Sequence, residues 1–150
     1  MKYLKFLLII LPAALFFSCD SYSDEELNAF DAKIEKYLKR KNIECKKSAS
    51  GLYYKILEEG EGDFIQFTDK VMVTYKGSFL SGETFDEQTE PIELKVSEQI
   101  NAWKEIMLQL KKGSKAYMIA PPQLGYGGYE IEKVPPNSIL VFELEVVDVM

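Results

Sequence analysis

The feature that most constrains the fold is a run of alternating apolar and polar residues that leads into a glycine turn. The segment KVMVTYKGSFL (70–80) places apolar side chains at alternate positions, which is the period of a half-buried strand. The next residues, SGET (81–84), are typical of a turn, and a second strand leads out of it through Phe85. This order favours antiparallel pairing and places Phe85 and Asp86 side by side at the start of the returning strand.

The rest of the pattern adds further strands and one helix to this hairpin. Strands are predicted at 52–57, 91–96, 114–122 and 138–149. The segment 97–113 opens at Ser97 and closes at Gly113, and it repeats apolar residues at helical spacing, which predicts a helix. The repeated residues are Ile100, Trp103, Met107 and Leu110. Several antiparallel strands with one helix between them predict an α+β domain in which the helix covers the one apolar face of the sheet.

Residues 1–18 have the features of a secretory signal. Lys2 and Lys5 precede the apolar run FLLIILPAALFF (6–17), which is shorter than the roughly 20 residues of a membrane-spanning helix. Ser18 stands directly before Cys19, and this junction resembles a bacterial lipobox, in which Cys19 is lipidated and becomes the mature N-terminus. A lipidated Cys19 predicts a protein anchored at a membrane of the cell envelope, on its periplasmic or surface face. The alternative is an ordinary signal cleaved nearby, with Cys19 incidental.

The mature chain is predicted to begin with a short tether and an amphipathic helix. Ser23 and Glu26 have the spacing of a capping box, and apolar residues follow at helical spacing to about residue 40. These residues are Leu27, Phe30, Ile34, Tyr37 and Leu38. Such a stripe needs a partner, which is either the main domain or a second copy of the chain in a homodimer through residues 24–40. The chain is thus divided into a signal (1–18), a tether, helix and linker (19–50) and a folded domain (51–150).

Composition excludes several classes of protein. The chain contains no histidine, so it lacks Ser-His-Asp and Cys-His catalytic groups and histidine-ligated metals. Its two cysteines, Cys19 and Cys45, do not make the usual zinc site, and Cys45 has no disulfide partner if Cys19 carries lipid. Removing residues 1–18 takes away two lysines and no acidic residue, so the net charge changes from −6 to −8 and disfavours nucleic-acid binding. No phosphate-binding glycine motif is present, and no cofactor is expected.

One reaction requires no nucleophile, metal or strong base, and that reaction is rotation about an X-Pro peptide bond. Its barrier of about 18–20 kcal/mol comes from amide resonance, and the uncatalysed step takes tens of seconds or more. Catalysis calls for a dry apolar pocket that removes water from the prolyl amide, with donors that favour the twisted state. The expected site is therefore built from aromatic side chains with one or two polar groups.

Five segments, in order and with compatible gaps, resemble the FKBP-type peptidyl-prolyl cis/trans isomerases over about residues 67–150. The segments are VMVTYKGSFLSGETFD, the tryptophan of the predicted helix, KKG, PPQLGYG and VPPNSILVFELEVV. The resemblance implies a half-barrel of antiparallel strands wrapped around a short helix, with an apolar pocket between helix and sheet. It implies a pocket floor and aromatic walls made by Trp103, Tyr75, Phe85 and Phe142. Packing alone would also account for such rings, because large aromatic residues belong to the core in most folds.

The resemblance also implies four residues at the edge of this pocket. Asp86 matches the polar wall residue, and Tyr126 matches the tyrosine whose hydroxyl donates to a substrate carbonyl. Ile100 matches a position that presents an apolar side chain and a backbone N–H to ligand, and Val134 matches an apolar rim position. Tyr126 is the residue least explained by packing, because a buried hydroxyl needs a partner.

The chain departs from the family pattern at Gln99, Ala102 and Ile106, and its loop at 127–134 is short and acidic. These departures put the catalytic rate and substrate preference in question, while the aromatic residues of the pocket are intact. The sequence predicts an isomerase that acts on proline-containing unfolded or exported polypeptides and is held at a membrane by lipid. The alternative is a non-catalytic chaperone or binding module for unfolded envelope proteins.

Overall fold

The computed structural model describes residues 21–150, so the predicted signal and Cys19 lie outside the described residues. The helices and strands are α1 (Asp24–Lys41), β1 (Lys46–Lys47), β2 (Tyr53–Glu58), β3 (Lys70–Phe79), β4 (Thr84–Lys95), α2 (Asn101–Met107), β5 (Lys115–Ala120) and β6 (Leu140–Val149). Two 3₁₀ turns, Val96–Glu98 and Pro122–Leu124, precede α2 and follow β5. Within residues 21–150, no helix is both long and apolar enough to cross a membrane, and no three potential metal-binding side chains are grouped together.

The six strands form one antiparallel sheet in the order β1-β2-β5-β6-β3-β4. Helix α2 packs on what we call the inner face of this sheet, where Ile106, Met107 and Leu110 are fully buried. Val73 and Leu144 face them from the neighbouring strands β3 and β6, since alternate strand residues point to the same side. The predicted α+β fold, an antiparallel sheet around a short helix, is confirmed.

The opposite face of the sheet, here called the outer face, is covered by α1. The predicted stripe residues Phe30, Ile34 and Leu38 are buried there and form a second core with residues such as Tyr53 and Val141. The stripe therefore packs on its own domain, which is the first of the two predicted alternatives. The prediction that the sheet has one apolar face is wrong, because β5 and β6 bury side chains on both faces.

The start of α1 is held by contacts that include the residue before it. Ser23 and Glu26 form the predicted capping box, in which the Ser23 hydroxyl accepts from the Glu26 N–H and the Glu26 carboxylate accepts from the Ser23 N–H. Tyr22 packs edge-on against Phe30, with ring centroids 5.2 Å apart. The Tyr22 hydroxyl donates a 2.6 Å hydrogen bond to Asn137 Oδ1. The last part of the predicted tether is therefore docked on the folded domain.

Strand β4 is one long strand where the sequence predicted a short strand at 91–96 separate from the strand through Phe85. The register shifts between the pairs Val73↔Ile92 and Tyr75↔Gln88, which forms a bulge in β4. Pro91 is one of the β4 residues in this bulge. Proline is tolerated here because β4 is an edge strand and the bulge removes the need for a ladder hydrogen bond.

The predicted helix at 97–113 is much shorter in the structure. Gln99 and Ile100 have extended ψ angles of 168° and 156°, so the chain breaks between the 3₁₀ turn and α2. After Met107 two tight turns replace the helix, yet they still bury Leu110. The apolar spacing correctly predicted which residues are buried. At both ends of the predicted helix, however, packing on the inner face outweighs local helix propensity. In the predicted linker at 42–51, β1 pairs with β2 and adds an edge to the sheet.

Candidate active site

Helix α2 places Trp103 at the centre of an aromatic floor on the inner face. The Trp103 ring lies edge-on to Tyr75 and to Phe142, with centroids 5.0 Å and 5.4 Å apart. Trp103 and Phe142 are 4% and 3% exposed, whereas Tyr75 is half-buried. Edge-to-face pairs of this kind contribute about 0.5–1.5 kcal/mol each beyond their burial. The result is a rigid apolar floor that reaches solvent on its Tyr75 side.

A β-bulge in β4 turns two consecutive side chains toward this floor. Asp86 pairs with Gly77 and Thr84 pairs with Ser78, so Phe85 is an extra residue between them. Neighbours in a regular strand point to opposite faces, and the bulge removes this restriction. Both Phe85 and Asp86 therefore contact residues of the aromatic floor.

The absence of a side chain at Gly77 makes room for the wall above the floor. The Phe85 ring is 5.7 Å from that of Phe142 and 5.1 Å from that of Phe79, between centroids. A Cβ atom at position 77 would lie 2.6 Å from Phe85 Cζ and 3.1 Å from Phe142 Cε1. The sequence patterns did not predict a role for Gly77. A glycine inside a strand pattern was the available signal, since it often marks close approach of another group.

Tyr75 and Asp86 form a hydrogen-bonded pair at the mouth of the site. The Tyr75 hydroxyl donates to Asp86 Oδ2 over 2.5 Å. Burial raises the pKa of Tyr75 well above its usual value, and the hydrogen bond and negative charge of Asp86 raise it further. Tyr75 therefore remains a protonated donor, and the exposed Asp86 carboxylate holds its ring in one orientation.

Tyr126 lies on a loop that backbone hydrogen bonds hold in place. The N–H groups of Gly125 and Gly127 both donate to the carbonyl of Pro122, over 3.0 Å and 2.9 Å. The Tyr126 side chain packs against the inner core and is half-buried, and its hydroxyl makes no hydrogen bond to any residue within 21–150. Burial raises the pKa of Tyr126, and the charge of Asp86 raises it further. The Tyr126 hydroxyl is thus a protonated donor without a described acceptor.

Ile100 and Val134 differ in exposure. Ile100 is half-buried directly before α2, and its backbone N–H donates to no other described residue. Val134 is 5% exposed and packs into the inner core, so it is more enclosed than a rim position would suggest. A pair of backbone hydrogen bonds between Val134 and Ile131 closes the short loop at 127–134.

The three positions that depart from the family pattern have ordinary packing roles. Ala102 and Ile106 are fully buried in the inner core with Trp103. The Gln99 side-chain amide donates to the carbonyl of Lys95 over 3.1 Å, which turns its polar end back toward the chain. The structure therefore accommodates all three residues with the aromatic floor in place.

The geometry agrees with comparisons to known proteins. A family model described as FKBP-type peptidyl-prolyl cis-trans isomerase matches residues 62–147, which include every candidate pocket residue from Tyr75 to Phe142. The chain belongs to this family.

Individual relatives carry the same description. The chain is 38% identical over 118 residues to the FKBP-type isomerase FkpA of Escherichia coli, and 41% identical over 113 residues to a probable FKBP-type isomerase of Haemophilus influenzae. These matches cover 77% and 73% of the chain but only 43% and 47% of the relatives. The chain thus spans about half the length of these FKBP-type relatives.

Solved structures of the family share the fold. The crystal structure of Escherichia coli FkpA superposes with a TM-score of 0.72 at 35% identity, covering 83% of the chain and 61% of FkpA. The crystal structure of AtFKBP13 gives a TM-score of 0.66 at 26% identity, covering 71% of the chain and 99% of that protein. The FKBP-type fold of the chain is therefore shown both by sequence and by structure.

Proposed function

We propose that the chain is a peptidyl-prolyl cis/trans isomerase that accelerates rotation about exposed X-Pro bonds. The observation that carries this proposal is the aromatic floor of Trp103, Tyr75 and Phe142, which reaches solvent at Tyr75, with the wall of Phe85 above it. At the edge of this floor stands the Tyr126 hydroxyl, which has no acceptor within residues 21–150. Membership of the FKBP-type family supports the same reaction.

Desolvation is the main element of the proposed mechanism. The planar prolyl amide has greater charge separation than the twisted one, because twisting interrupts amide resonance. The prolyl ring binds on the buried floor made by Trp103 and Phe142, between Tyr75 and Phe85, where water no longer stabilises the planar form. Rotation breaks no covalent bond, so no group in the site has to act as a nucleophile.

Hydrogen bonds at the edge of the floor orient the substrate. In the proposal, the Tyr126 hydroxyl donates to a substrate carbonyl, and the backbone N–H of Ile100 donates to a second one. Asp86 accepts from Tyr75 and so keeps that ring upright as a wall. Val134 packs into the same core as Trp103 and Phe142. A hydrogen bond that strengthens only in the transition state contributes about 0.5–1.5 kcal/mol, or about threefold to tenfold in rate.

We further propose that lipid on Cys19 anchors the mature chain to a membrane of the bacterial envelope, where exported polypeptides are its clients. The support is the Ser18-Cys19 junction after the apolar run at 6–17. Mass spectrometry of the mature N-terminus should find Cys19 carrying acyl groups. An unmodified N-terminus at another residue would refute the anchor and leave the isomerase proposal intact.

A homodimer through residues 24–40 does not form part of the proposal. Phe30, Ile34 and Leu38 are already buried against the sheet of their own chain, which leaves little of the stripe for a second copy. Sedimentation of the chain without its first 19 residues should give a monomer at all concentrations. A dimer whose fraction rises with protein concentration would show that the two copies associate through another surface or exchange their α1 helices.

The proposed activity is tested by exchange NMR on short X-Pro peptides. Wild type should accelerate cis/trans exchange, Phe85→Ala should lower the rate by removing a wall, and Tyr126→Phe should lower it about threefold to tenfold by removing the donor. Two matched controls lie outside the site. Phe64→Ala removes an exposed ring, and Tyr37→Phe removes a hydroxyl on the outer face, so both should retain the wild-type rate.

The same experiment separates the isomerase from the alternative chaperone or binding module. A module that only holds unfolded segments would bind the peptides without accelerating exchange. Its binding would also depend little on the Tyr126 hydroxyl, since an apolar pocket retains its affinity when one hydroxyl is lost.

A further inference from the structure

Beside the candidate active site there is a second depression, which we call the loop groove. It lies between the start of α1 and the loop at 125–131 and has a volume of about 570 Å³. Tyr22 and Leu27 form its wall on the helix side, and Tyr126, Tyr129 and Ile131 form its wall on the loop side. A volume of this size is within the range of sites that hold a ligand of several side chains.

Tyr22 and Tyr126 pack against the two cores of the protein, whereas the other apolar side chains of the loop groove belong to neither core. Leu27 belongs to the apolar stripe of α1, but it lies outside the second core that buries Phe30 and Ile34. On the loop side, Tyr129 is 67% exposed and Ile131 is 41% exposed. Apolar side chains that converge on one depression, and that the fold itself does not bury, mark a binding surface.

The groove is already formed in the single chain. The Tyr22 hydroxyl is bonded to Asn137, which follows this loop in the connection between β5 and β6, and the Tyr22 ring is packed on Phe30. The Asn137 N–H in turn donates to the carbonyl of Gly127 over 2.8 Å. Because these contacts hold the two walls together without a ligand, binding would require little ordering of the groove.

Two features indicate a polypeptide as the occupant. Tyr126 belongs to both the loop groove and the candidate active site, so a chain bound at one can continue directly into the other. Gly128, in the groove wall, makes no backbone hydrogen bond to another residue in the described part of the chain. Its N–H and C=O can therefore pair with an extended peptide, and the absence of side chains at Gly127 and Gly128 lets that peptide approach.

We propose that the loop groove binds the client chain a few residues away from the X-Pro bond and selects an apolar side chain there. This inference rests on the proposed isomerase function. An extended chain advances about 3.3–3.6 Å per residue, so three or four residues span about 10–14 Å from the proline. The groove then makes the enzyme selective for unfolded segments that carry apolar residues on one side of proline.

The test uses two 12-residue peptides with the same central X-Pro bond. One carries leucine or phenylalanine three and four residues from the proline on both sides, and the other carries serine at those positions. For wild type we expect KM for the apolar peptide to be about threefold to tenfold lower, with similar kcat, because the groove adds binding away from the rotating bond. Equal KM values for the two peptides would overturn the proposal.

Substitutions in the groove locate the effect. In Leu27→Ser and, separately, Tyr129→Ser, the ratio of kcat/KM between the apolar and serine peptides should fall toward one. The matched control is Phe64→Ser, which removes an aromatic ring of similar exposure from another part of the surface and should leave the ratio unchanged. A ratio that stays at its wild-type value in both groove variants would place the selectivity elsewhere and refute the assignment.

Binding can also be followed when catalysis is absent. Titration of the wild type with the apolar peptide should shift the NMR signal of the Gly128 amide more than the serine peptide does. If the wild type accelerates no peptide but this shift occurs, the isomerase proposal fails and the groove remains a peptide-binding surface. If the wild type accelerates exchange but the Gly128 signal does not shift, the isomerase proposal stands and the loop groove is refuted as a peptide-binding surface.

Discussion

Replacing Gly77 by alanine is the most direct test of how the active-site wall is built. The added Cβ would lie 2.6 Å from Cζ and 2.8 Å from Cε2 of Phe85, whereas ordinary contacts begin at 3.4 Å. The Phe85 ring must therefore retreat by about 0.8 Å, the difference between these distances. It cannot retreat freely, because Phe79 and Phe142 contact it from two sides.

The expected cost follows from this overlap. Overpacking by one methyl group usually lowers the free energy of unfolding by about 1–3 kcal/mol. Strand propensity acts in the opposite direction, because alanine is normally better than glycine inside a strand, so a loss of stability at Gly77 can only come from the overlap. Displacement of the wall by nearly 1 Å should also lower kcat/KM, by up to about 100-fold.

Urea unfolding and exchange NMR on Gly77→Ala measure the two effects. The control is a double-mutant cycle with Phe85→Leu, since leucine lacks the ring atoms that the new Cβ would meet. In the Phe85→Leu background, Gly77→Ala should lower the free energy of unfolding by less than about 1 kcal/mol. This smaller loss comes from the contact of the new Cβ with Phe142 Cε1 at 3.1 Å. An equal cost in both backgrounds, or a wild-type cost below about 0.5 kcal/mol, would refute the reasoning.

Three further predictions concern the outer core, the docked N-terminal segment and the tyrosines of the site. Ile34→Ala should lower the free energy of unfolding by about 2–5 kcal/mol in urea, because Ile34 is fully buried between α1 and the sheet, and an unchanged midpoint would mean that α1 is a loose appendage. Tyr22→Phe should cost about 0.5–1.5 kcal/mol and speed hydrogen exchange of the loop that ends at Asn137, an effect that is absent if their hydrogen bond does not form in solution. The pKa values of Tyr75 and Tyr126 are raised in the folded chain, so the unfolded chain loses these protons first and stability should fall as pH rises above about 10. Tyr75→Phe should make that fall less steep, and an unchanged slope in alkaline urea titrations would contradict the raised pKa.

Strands β3 and β6 and the burial of Trp103 could be predicted because they depend on local patterns. Alternation in β3 and β6 determines which residues face the helix, and the position of Trp103 in a helical pattern places it opposite them. Family resemblance supplied the expected pocket roles of the aromatic residues and of Tyr126, whose loop has no periodicity of its own. The predictions from local patterns required only that each segment adopt the secondary structure that its own sequence favours.

The features that could not be predicted depend on contacts between distant segments. The bulge at Phe85 exists because β4 must pair with β3 on both sides of it, and a period of two along one strand does not reveal an extra residue. The break at Ile100 depends on packing around the start of α2, which outweighs a helical pattern that continues on both sides. The second core could not be separated from a dimer interface, because an apolar stripe such as that of Ile34 does not specify which surface covers it.

The docking of Tyr22 on Asn137 would limit how far the folded domain can reach from a lipid on Cys19. Only three residue steps separate Cys19 from Tyr22, and these extend to about 10 Å at most. With lipid on Cys19, Tyr22 would stay within that distance of the bilayer, and the proposed isomerase would search a thin layer rather than a volume. Its effective concentration toward chains at that surface would be high, while chains that fold farther away would escape it.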